Sequence, residues 1–320
     1  MAEHLVLEPV VLRNASLENI EKDMTLNEYL REALENHYAI GHFNFATADV
    51  LRAIVEGAKE AEAPAVMVGT SEGEADFLGM LEAVALVGAM RKELDFPIFL
   101  NADHFKSVEK CKEALNAGYD TVLFDGSKLS YEDNLAAVQR VKHHAQEKPV
   151  EGEIGYLRGS SEVQGKVEIS AADYTKPEQA KSFVDETQVD RLAIVFGNIH
   201  GIVTEQEEKL DIEHLKKVVA LLPRVPIVLH GASGLPDDQV RSAIRAGIAN
   251  VHFNTELRVV YAEGIEKAIH AEKPASPASP GLQRGEPSGG LETTPYKYLG
   301  PAAEEVKKLV AQKIKLFMSR

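Results

Sequence analysis

Three histidines in this chain stand where they could jointly hold a metal ion. His104, His200 and His230 each lie at or just after a short apolar run, within the segments NADH, GNIHG and LHGASG. Imidazole nitrogens from different strands suit a catalytic zinc ion that keeps one coordination position open. Any one of them alone is more often an ordinary hydrogen-bonded histidine, so the hypothesis requires all three to meet. The sequence predicts a metal centre if the fold brings these segments together.

Two carboxylates and a fourth histidine follow the same pattern of apolar run and strand end. Asp103 precedes His104, while Glu153 and His252 end two other predicted strands. A carboxylate at the position of Asp103 can move a proton, or it can support the neighbouring histidine. Glu153 has two interpretations, as a direct metal ligand or as a carboxylate behind one. His252 can donate to a negatively charged oxygen, bind metal, titrate near neutrality or simply fill space.

Small residues near these histidines indicate an anion site. Some lie in the two glycine-containing turns, GNIHG and LHGASG, and the others stand at the start of the helix after the last predicted strand. These residues are Gly201, Gly231, Ala232, Ser233, Asn254 and Thr255. Small residues let backbone N–H groups approach an anion closely, and a helix amino terminus favours negative charge. These segments together predict a phosphate-binding cradle beside the metal centre.

The elements that must position these residues alternate regularly along the chain. Short apolar runs predict eight strands: Tyr38–Phe45, Ala65–Val68, Ile98–Asn101, Thr121–Phe124, Val150–Ile154, Leu192–Phe196, Ile227–Leu229 and Asn250–Phe253. Amphipathic segments between them predict helices. Eight such units in roughly 230 residues favour a closed α/β (β/α)8 TIM barrel, whose active sites lie at the carboxyl ends of the strands. The sequence contains no GxGxxG or P-loop motif, which would favour a nucleotide-binding fold.

The sequence predicts one domain over residues 1–320, with a helix before the barrel and another after it. Thr25 and Glu28 form a capping-box pattern that predicts a helix before the first strand. Residues 271–290 are rich in Pro, Ser and Gly, so they predict a flexible excursion without dividing the chain into two domains. The apolar spacing of Pro301–Phe317 predicts a terminal helix that packs on the barrel or on a second subunit.

Composition limits the classes of partner. The chain has 35 Lys and Arg against 50 Asp and Glu, a net charge of −15, which argues against nucleic acid or an anionic membrane as partner. The sequence contains no run of about 18 consecutive apolar residues, the length that would predict a membrane-spanning helix. Cys111 is the only cysteine, so an intramolecular disulfide is excluded and a cytoplasmic setting is expected.

Taken in order, NADH, GNIHG, LHGASG and the NTE of Asn254–Glu256 resemble the class II, zinc-dependent ketose-bisphosphate aldolases, which include fructose- and tagatose-bisphosphate aldolases. The likeness runs from about Leu26 to Leu316 and includes GHFNF, DGS and EIG. It implies one zinc ion per chain on the three histidines, with Asp103 moving the proton. It also implies a phosphate site, with or without a monovalent cation beside it, at Gly201, Gly231, Ser233 and Thr255.

The reaction implied by the resemblance is reversible cleavage of a phosphorylated ketose, such as fructose 1,6-bisphosphate, to dihydroxyacetone phosphate and an aldehyde. Zinc would act as a Lewis acid on the ketose carbonyl. The expected partner is therefore a small phosphorylated sugar, and a homodimer or homotetramer is expected.

Several residues depart from the family pattern. His252 replaces the asparagine that usually touches the enediolate, and Tyr296 replaces an expected arginine, which leaves Arg258 as the candidate anchor for a distal phosphate. In the loop after the fifth strand, Ser160 stands where a catalytic glutamate is expected, and Glu162 comes later as the candidate replacement. Two alternatives stay open: a sugar-phosphate binder without activity, and a metal-dependent hydrolase on the same barrel.

Overall fold

The structure is a computed structural model that describes residues 24–271 and 292–319. Its strands are β1 (Ile40–Asn44), β2 (Val66–Thr70), β3 (Ile98–Phe105), β4 (Thr121–Phe124), β5 (Val150–Ile154), β6 (Gly159–Gln164), β7 (Arg191–Ile194), β8 (His200–Val203), β9 (Ile227–Leu229) and β10 (Ile248–Phe253). Eight of them close a parallel barrel in the order β1-β10-β9-β7-β5-β4-β3-β2. The (β/α)8 prediction is therefore confirmed, together with all eight predicted strands.

Helices surround this barrel. They are α1 (Leu26–Asn36), α2 (Ala48–Glu60), α3 (Glu72–Leu78), α4 (Met80–Leu94), α5 (Val108–Ala117), α6 (Tyr131–Ala145), α7 (Pro177–Thr187), α8 (Ile212–Leu221), α9 (Asp237–Arg245), α10 (Thr255–Ile269) and α11 (Pro295–Phe317). The main apolar core lies between their inner faces and the barrel. Strands β1, β2, β4, β5, β7, β9 and β10 are buried at every position, as expected for parallel strands covered on both faces. None of the helices in the described ranges is both long and apolar enough to cross a membrane.

Two helices outside the repeating pattern close the barrel. Helix α1 carries the predicted capping box and covers the amino-terminal end, where Leu26 and Leu30 pack with Met67. Helix α11 packs between α2 and α10, so tightly that a Cβ on Gly57 would lie 2.5 Å from the carbonyl oxygen of Lys307. The predicted packing of the terminal helix on the barrel is therefore observed, and its packing on a second subunit stays a prediction.

The barrel interior contains a buried charged layer beneath its carboxyl-terminal end. Arg191 donates from Nε to Glu151 Oε2 at 2.5 Å, and both side chains are fully buried. The same guanidinium donates to Thr121 Oγ1 at 2.8 Å and to Asn101 Oδ1 at 3.2 Å. Each buried charge is thus paired and hydrogen-bonded, which is the condition for keeping ions in a low-dielectric interior.

The structure corrects three details of the prediction. The amphipathic segment after the second predicted strand forms two helices instead of one, because Gly79 adopts φ 93° and separates α3 from α4. Strands β6 and β8 were not predicted, and they pair in a small parallel sheet. The terminal helix begins at Pro295, before the predicted start, and includes Pro301. Residues 272–290 of the predicted flexible excursion are not among the described residues. The single-domain prediction stays a prediction.

Candidate active site

The three candidate histidines meet at the carboxyl-terminal end of the barrel. His104 lies near the end of β3, His200 begins β8 and His230 directly follows β9. One ring nitrogen of each lies within 4.8 Å of the others, and His104 Nε2 is 2.9 Å from His230 Nδ1. His104 adopts φ 52°, a left-handed conformation that is uncommon for a residue with a side chain and is concentrated at functional sites.

Carboxylates behind these rings determine which nitrogens can bind a metal. His230 Nε2 lies 2.8 Å from Glu151 Oε1, so it donates its proton there and leaves Nδ1 free. His104 Nδ1 lies 3.4 Å from Asp125 Oδ2 and 3.3 Å from Glu153 Oε2, which favours a proton on Nδ1 and a free Nε2. The free nitrogens of both rings face each other, which is the arrangement that a divalent metal ion requires.

The electrostatics of the two partly exposed rings differ. Burial would lower the pKa of His104, but Asp103 and Glu153 raise it well above its usual range. Burial, together with His104 and His230, lowers the pKa of His200 well below its usual range. Metal ligation requires neutral histidine, so a bound cation would displace the second proton that Asp103 and Glu153 favour on His104, while His200 is already neutral. The donor set therefore fits the predicted metal.

Glu153 lies apart from the facing nitrogens of this group. It approaches His104 from the Nδ1 side, and together with Asp125 and His104 it forms a second cluster of possible ligand atoms. Its buried Oε2 atom has no hydrogen-bond partner among the described residues. This position agrees better with a carboxylate that orients His104 than with a fourth ligand, and both roles stay open to the test given below.

Asp103 is held firmly beside the metal candidates. It is 5% exposed, and its Oδ2 accepts a hydrogen bond from Asn44 Nδ2 at 3.0 Å. Burial would raise the pKa of Asp103, but the charge of His104 lowers it well below its usual range, so the side chain is a carboxylate. Asn44 also donates to Glu74 Oε2 at 2.9 Å. Asn44 and Glu74 carry no motif that marks them in the sequence, although Asn44 ends β1 as the other candidates end their strands.

His252 lies on the other side of Asp103. Its Nδ1 is 3.2 Å from Asp103 Oδ1, and burial together with His230 lowers the pKa of His252 to about 4. The ring of His252 stacks on His42, with centroids 3.8 Å apart. At neutral pH His252 is therefore an uncharged imidazole that lies beside Asp103, the residue that the sequence predicts to move a proton.

A cavity of about 630 Å³ connects these groups with the candidate phosphate-binding residues. Its lining includes Gly201, Gly231, Ser233, Asn254, Thr255 and Arg258. Ala232 is 2% exposed and lies outside this lining. Ser233 Oγ accepts from the backbone N–H of Glu256 at 3.3 Å, which joins the turn after β9 to the amino terminus of α10. The residues of the predicted cradle thus lie together at a helix start, and phosphate binding there stays a prediction.

The glycines of this cradle are required by backbone proximity. Gly201 has φ 89°, and a Cβ there would lie 2.2 Å from the carbonyl oxygens of Ser160 and Glu162. Gly231 has φ 68°, and a Cβ there would lie 2.0 Å from the carbonyl oxygen of Ile199. Any side chain at either position would force the turns apart, so these two glycines fix the shape of the cavity.

The loop after β5 folds over the same end of the cavity. Ser161 Oγ lies 3.1 Å from Thr255 Oγ1, and Arg258 donates to both the carbonyl oxygen and the hydroxyl of Ser161. Ser160 and Ser161 line the cavity, whereas Glu162 is exposed on β6 and outside the lining. The structure therefore does not bring Glu162 together with the other candidate catalytic residues.

This arrangement is a TIM barrel with a cavity and a group of possible metal ligands at the carboxyl ends of its strands, which is where enzymes of this fold carry their active sites. The family model described as "Fructose-bisphosphate aldolase class-II" matches residues 24–320. The chain is 32% identical over 299 residues to the fructose-bisphosphate aldolase of Staphylococcus aureus (strain Mu50 / ATCC 700699), covering 92% of this chain and 96% of that protein. It is 34% identical over 304 residues to the fructose-bisphosphate aldolase of Streptococcus pyogenes serotype M1, covering 92% and 98%.

A solved structure agrees with these relatives. The crystal structure of the YdjI aldolase from Escherichia coli K12 has a TM-score of 0.73 and 28% sequence identity, and the match covers 92% of this chain and 96% of that one. The chain belongs to the class II fructose-bisphosphate aldolase family. This confirms the resemblance stated from the sequence motifs, and it supports an aldolase activity.

Proposed function

We propose that this protein is a zinc-dependent aldolase that reversibly cleaves a phosphorylated ketose to dihydroxyacetone phosphate and an aldehyde. The observation that carries the proposal is the group of ring nitrogens of His104, His200 and His230 within 4.8 Å of one another, with carboxylates behind two of the rings. A divalent metal ion held there supplies a Lewis acid that stabilises negative charge developing on a carbonyl oxygen.

Two further tasks of the cleavage, proton removal from the substrate hydroxyl and phosphate binding, are assigned to the chain's own residues. Asp103, ionised and held by Asn44, accepts the proton of the substrate hydroxyl when the carbon–carbon bond breaks, and it returns this proton in the condensation direction. Backbone N–H groups at Gly201 and Gly231 and the side chains of Ser233 and Thr255 bind the phosphate group, which fixes the substrate relative to Asp103.

The distal end of the substrate would meet a mixed rim. Lys106 and Lys128 line the cavity, as do Glu72 and Glu74. Arg258, the candidate distal anchor, donates to the loop at Ser161. Cations and carboxylates both line this part of the cavity, so its charge does not select between a substrate with a second phosphate and one without. The assay therefore includes ketose 1-phosphates as well as ketose bisphosphates.

The test is a coupled triose-phosphate assay with metal content measured on the same sample. Substrates are fructose 1,6-bisphosphate, tagatose 1,6-bisphosphate and the corresponding 1-phosphates. We expect about one zinc ion per chain and cleavage of at least one substrate, with both lost in His104→Ala, His200→Ala and His230→Ala. His144→Ala is the control, since His144 lies on α6 and bonds Asn116. Retention of metal and rate in all three variants would contradict the proposal.

The same samples separate the two alternatives. A hydrolase would release inorganic phosphate or another hydrolysis product without forming triose phosphate. A binder without activity would bind ketose phosphates in calorimetry and leave them intact.

A further inference from the structure

The ring of His252 is held so that its two nitrogens meet different partners. Nε2 lies 3.1 Å from Asn250 Oδ1 and 3.6 Å from Glu151 Oε2. The amide of Asn250 donates from Nδ2 to the carbonyl oxygen of Ile40 at 2.8 Å, which turns its oxygen toward His252. Both neighbours of Nε2 are acceptors. The neutral imidazole therefore carries its proton on Nε2.

Nδ1 of His252 consequently presents a lone pair. Its neighbour is Asp103 Oδ1 at 3.2 Å, and both atoms are buried without a hydrogen-bond partner among the described residues. The other oxygen of Asp103 already accepts from Asn44. Two acceptors thus lie side by side in the cavity lining with no donor to satisfy either one. Such a pair is costly to leave unpaired, so it indicates a ligand that brings donors.

The orientation of this ring is fixed from behind. His42 stacks on His252 within 8° of parallel, and His42 Nε2 lies 3.2 Å from Asn101 Nδ2. The oxygen of Asn101 accepts from Arg191, so its amide nitrogen must face His42. This series of hydrogen bonds from the buried Arg191 through Asn101 to His42 fixes the stacked rings of His42 and His252. His252 cannot exchange its two nitrogens without breaking the contact with Asn250.

We propose that His252 Nδ1 and Asp103 Oδ1 form a paired acceptor that recognises two neighbouring hydroxyl groups of the ketose. One hydroxyl is on the carbon whose bond is cleaved and faces Asp103; the other is on an adjacent carbon and faces His252. The inference rests on the proposed function. It assigns His252 as a specificity-determining residue that accepts a hydrogen bond from the substrate, which differs from the role of donor to the enediolate.

The 3.2 Å separation of the two acceptors gives this pair its selectivity. Hydroxyl oxygens on adjacent carbons lie at a similar separation when they are gauche on one side of the chain. A substrate epimer with one of these hydroxyls inverted cannot reach both acceptors, and one buried acceptor would remain unpaired. A site built to bond a hydroxyl discriminates strongly against such an analogue.

The first experiment reads the tautomer directly. Histidine ring nitrogens are observed by ¹⁵N NMR on the zinc-loaded protein without substrate, and the His252 signals are assigned by their loss in His252→Phe. We expect Nε2 to be protonated and Nδ1 unprotonated. A proton on Nδ1 would overturn the inference, and this result does not depend on any catalytic activity.

The second experiment measures kcat/KM for fructose 1,6-bisphosphate and tagatose 1,6-bisphosphate, which differ at carbon 4. His252→Phe keeps a ring for stacking on His42 but has no acceptor, while His252→Asn offers an amide oxygen. We expect the wild-type preference for one epimer to fall by about tenfold or more in His252→Phe and to survive in His252→Asn.

The outcomes separate the inference from the proposed function. A wild-type protein without epimer preference, or a His252→Phe variant with the wild-type ratio, contradicts hydroxyl recognition while the aldolase proposal stands. A protein that cleaves no ketose phosphate contradicts the proposed function and removes this role with it.

Discussion

His42 and His252 occupy the same register position on the neighbouring strands β1 and β10, and their imidazole rings stack with centroids 3.8 Å apart. Adjacent parallel strands bring paired residues onto the same side of the barrel wall, so the stack follows directly from the register. Only the ring of His252 lines the cavity, while His42 is completely buried. His42 is thus placed to orient His252 without touching a substrate.

We expect His42→Ala to lower kcat by about ten- to hundredfold, because a freed His252 ring loses its alignment beside Asp103. The zinc content should stay at the wild-type level, because the three-histidine group does not include His42. Steady-state kinetics and metal analysis on one preparation test this pair of outcomes. An unchanged kcat would show that the stack does not orient His252, and lost zinc would assign His42 to the metal centre.

We expect Asp103→Asn to keep both zinc and substrate binding and to lose turnover by about 10²-fold or more, since the amide cannot accept the substrate proton. The variant retains an oxygen that can accept from Asn44, so the local structure should persist. Calorimetry with dihydroxyacetone phosphate measures binding, and the coupled assay measures turnover. If binding and turnover fall together, Asp103 acts on the structure of the site instead of the proton.

We expect Glu153→Gln to weaken zinc affinity by about 10- to 100-fold while still allowing full loading at high zinc. The physical reason is that Glu153 faces His104 Nδ1 and favours the tautomer that leaves Nε2 free. Competition with a chelator of known affinity measures the change. Asp125→Asn is the matched comparison, because Asp125 approaches the same nitrogen. A Glu153→Gln protein that cannot be loaded at all would instead support Glu153 as a direct ligand.

The sequence was sufficient for the barrel and the three histidines because the barrel strands are short, are buried at all or most positions and are bounded by polar residues. His104 and His230 stand out for that reason. The exposed strand β6 gave no such signal, since Gly159–Gln164 is mostly exposed and becomes a strand only by pairing with β8. Composition cannot reveal a strand that depends on a partner distant in sequence.

The layer beneath the site was missed for a different reason. Glu151 lies two residues before Glu153 on β5, so strand alternation puts both side chains on the same face, but the sequence does not show which partners Glu151 meets there. Only the closed barrel brings Glu151 to Arg191 and His230. The contact with Glu151 determines which ring nitrogen of His230 carries the proton. This tautomer could therefore be assigned only from the structure.

The last prediction concerns Glu208, a buried carboxyl group on the far side of the GNIHG turn. It accepts a hydrogen bond from the backbone of Ile199, the residue before His200, and burial raises the pKa of Glu208 to about 8. Its Oε2 has no hydrogen-bond partner among the described residues. The native state therefore binds a proton that the unfolded chain releases above its ordinary pKa of 4.5.

Between about pH 4.5 and pH 8 this difference lowers the free energy of unfolding as pH rises, because the native state holds more protons than the unfolded state. Glu208→Gln keeps an acceptor for Ile199 and removes the titration, so its Tm advantage over wild type should be small near pH 5 and should grow toward pH 8.5. Thermal unfolding of the zinc-loaded proteins across this range measures it. Glu207→Gln is the matched control, since it removes the same charge from an exposed neighbour. A Tm difference for Glu208→Gln that is constant with pH would show that the carboxyl group is already ionised in the native protein.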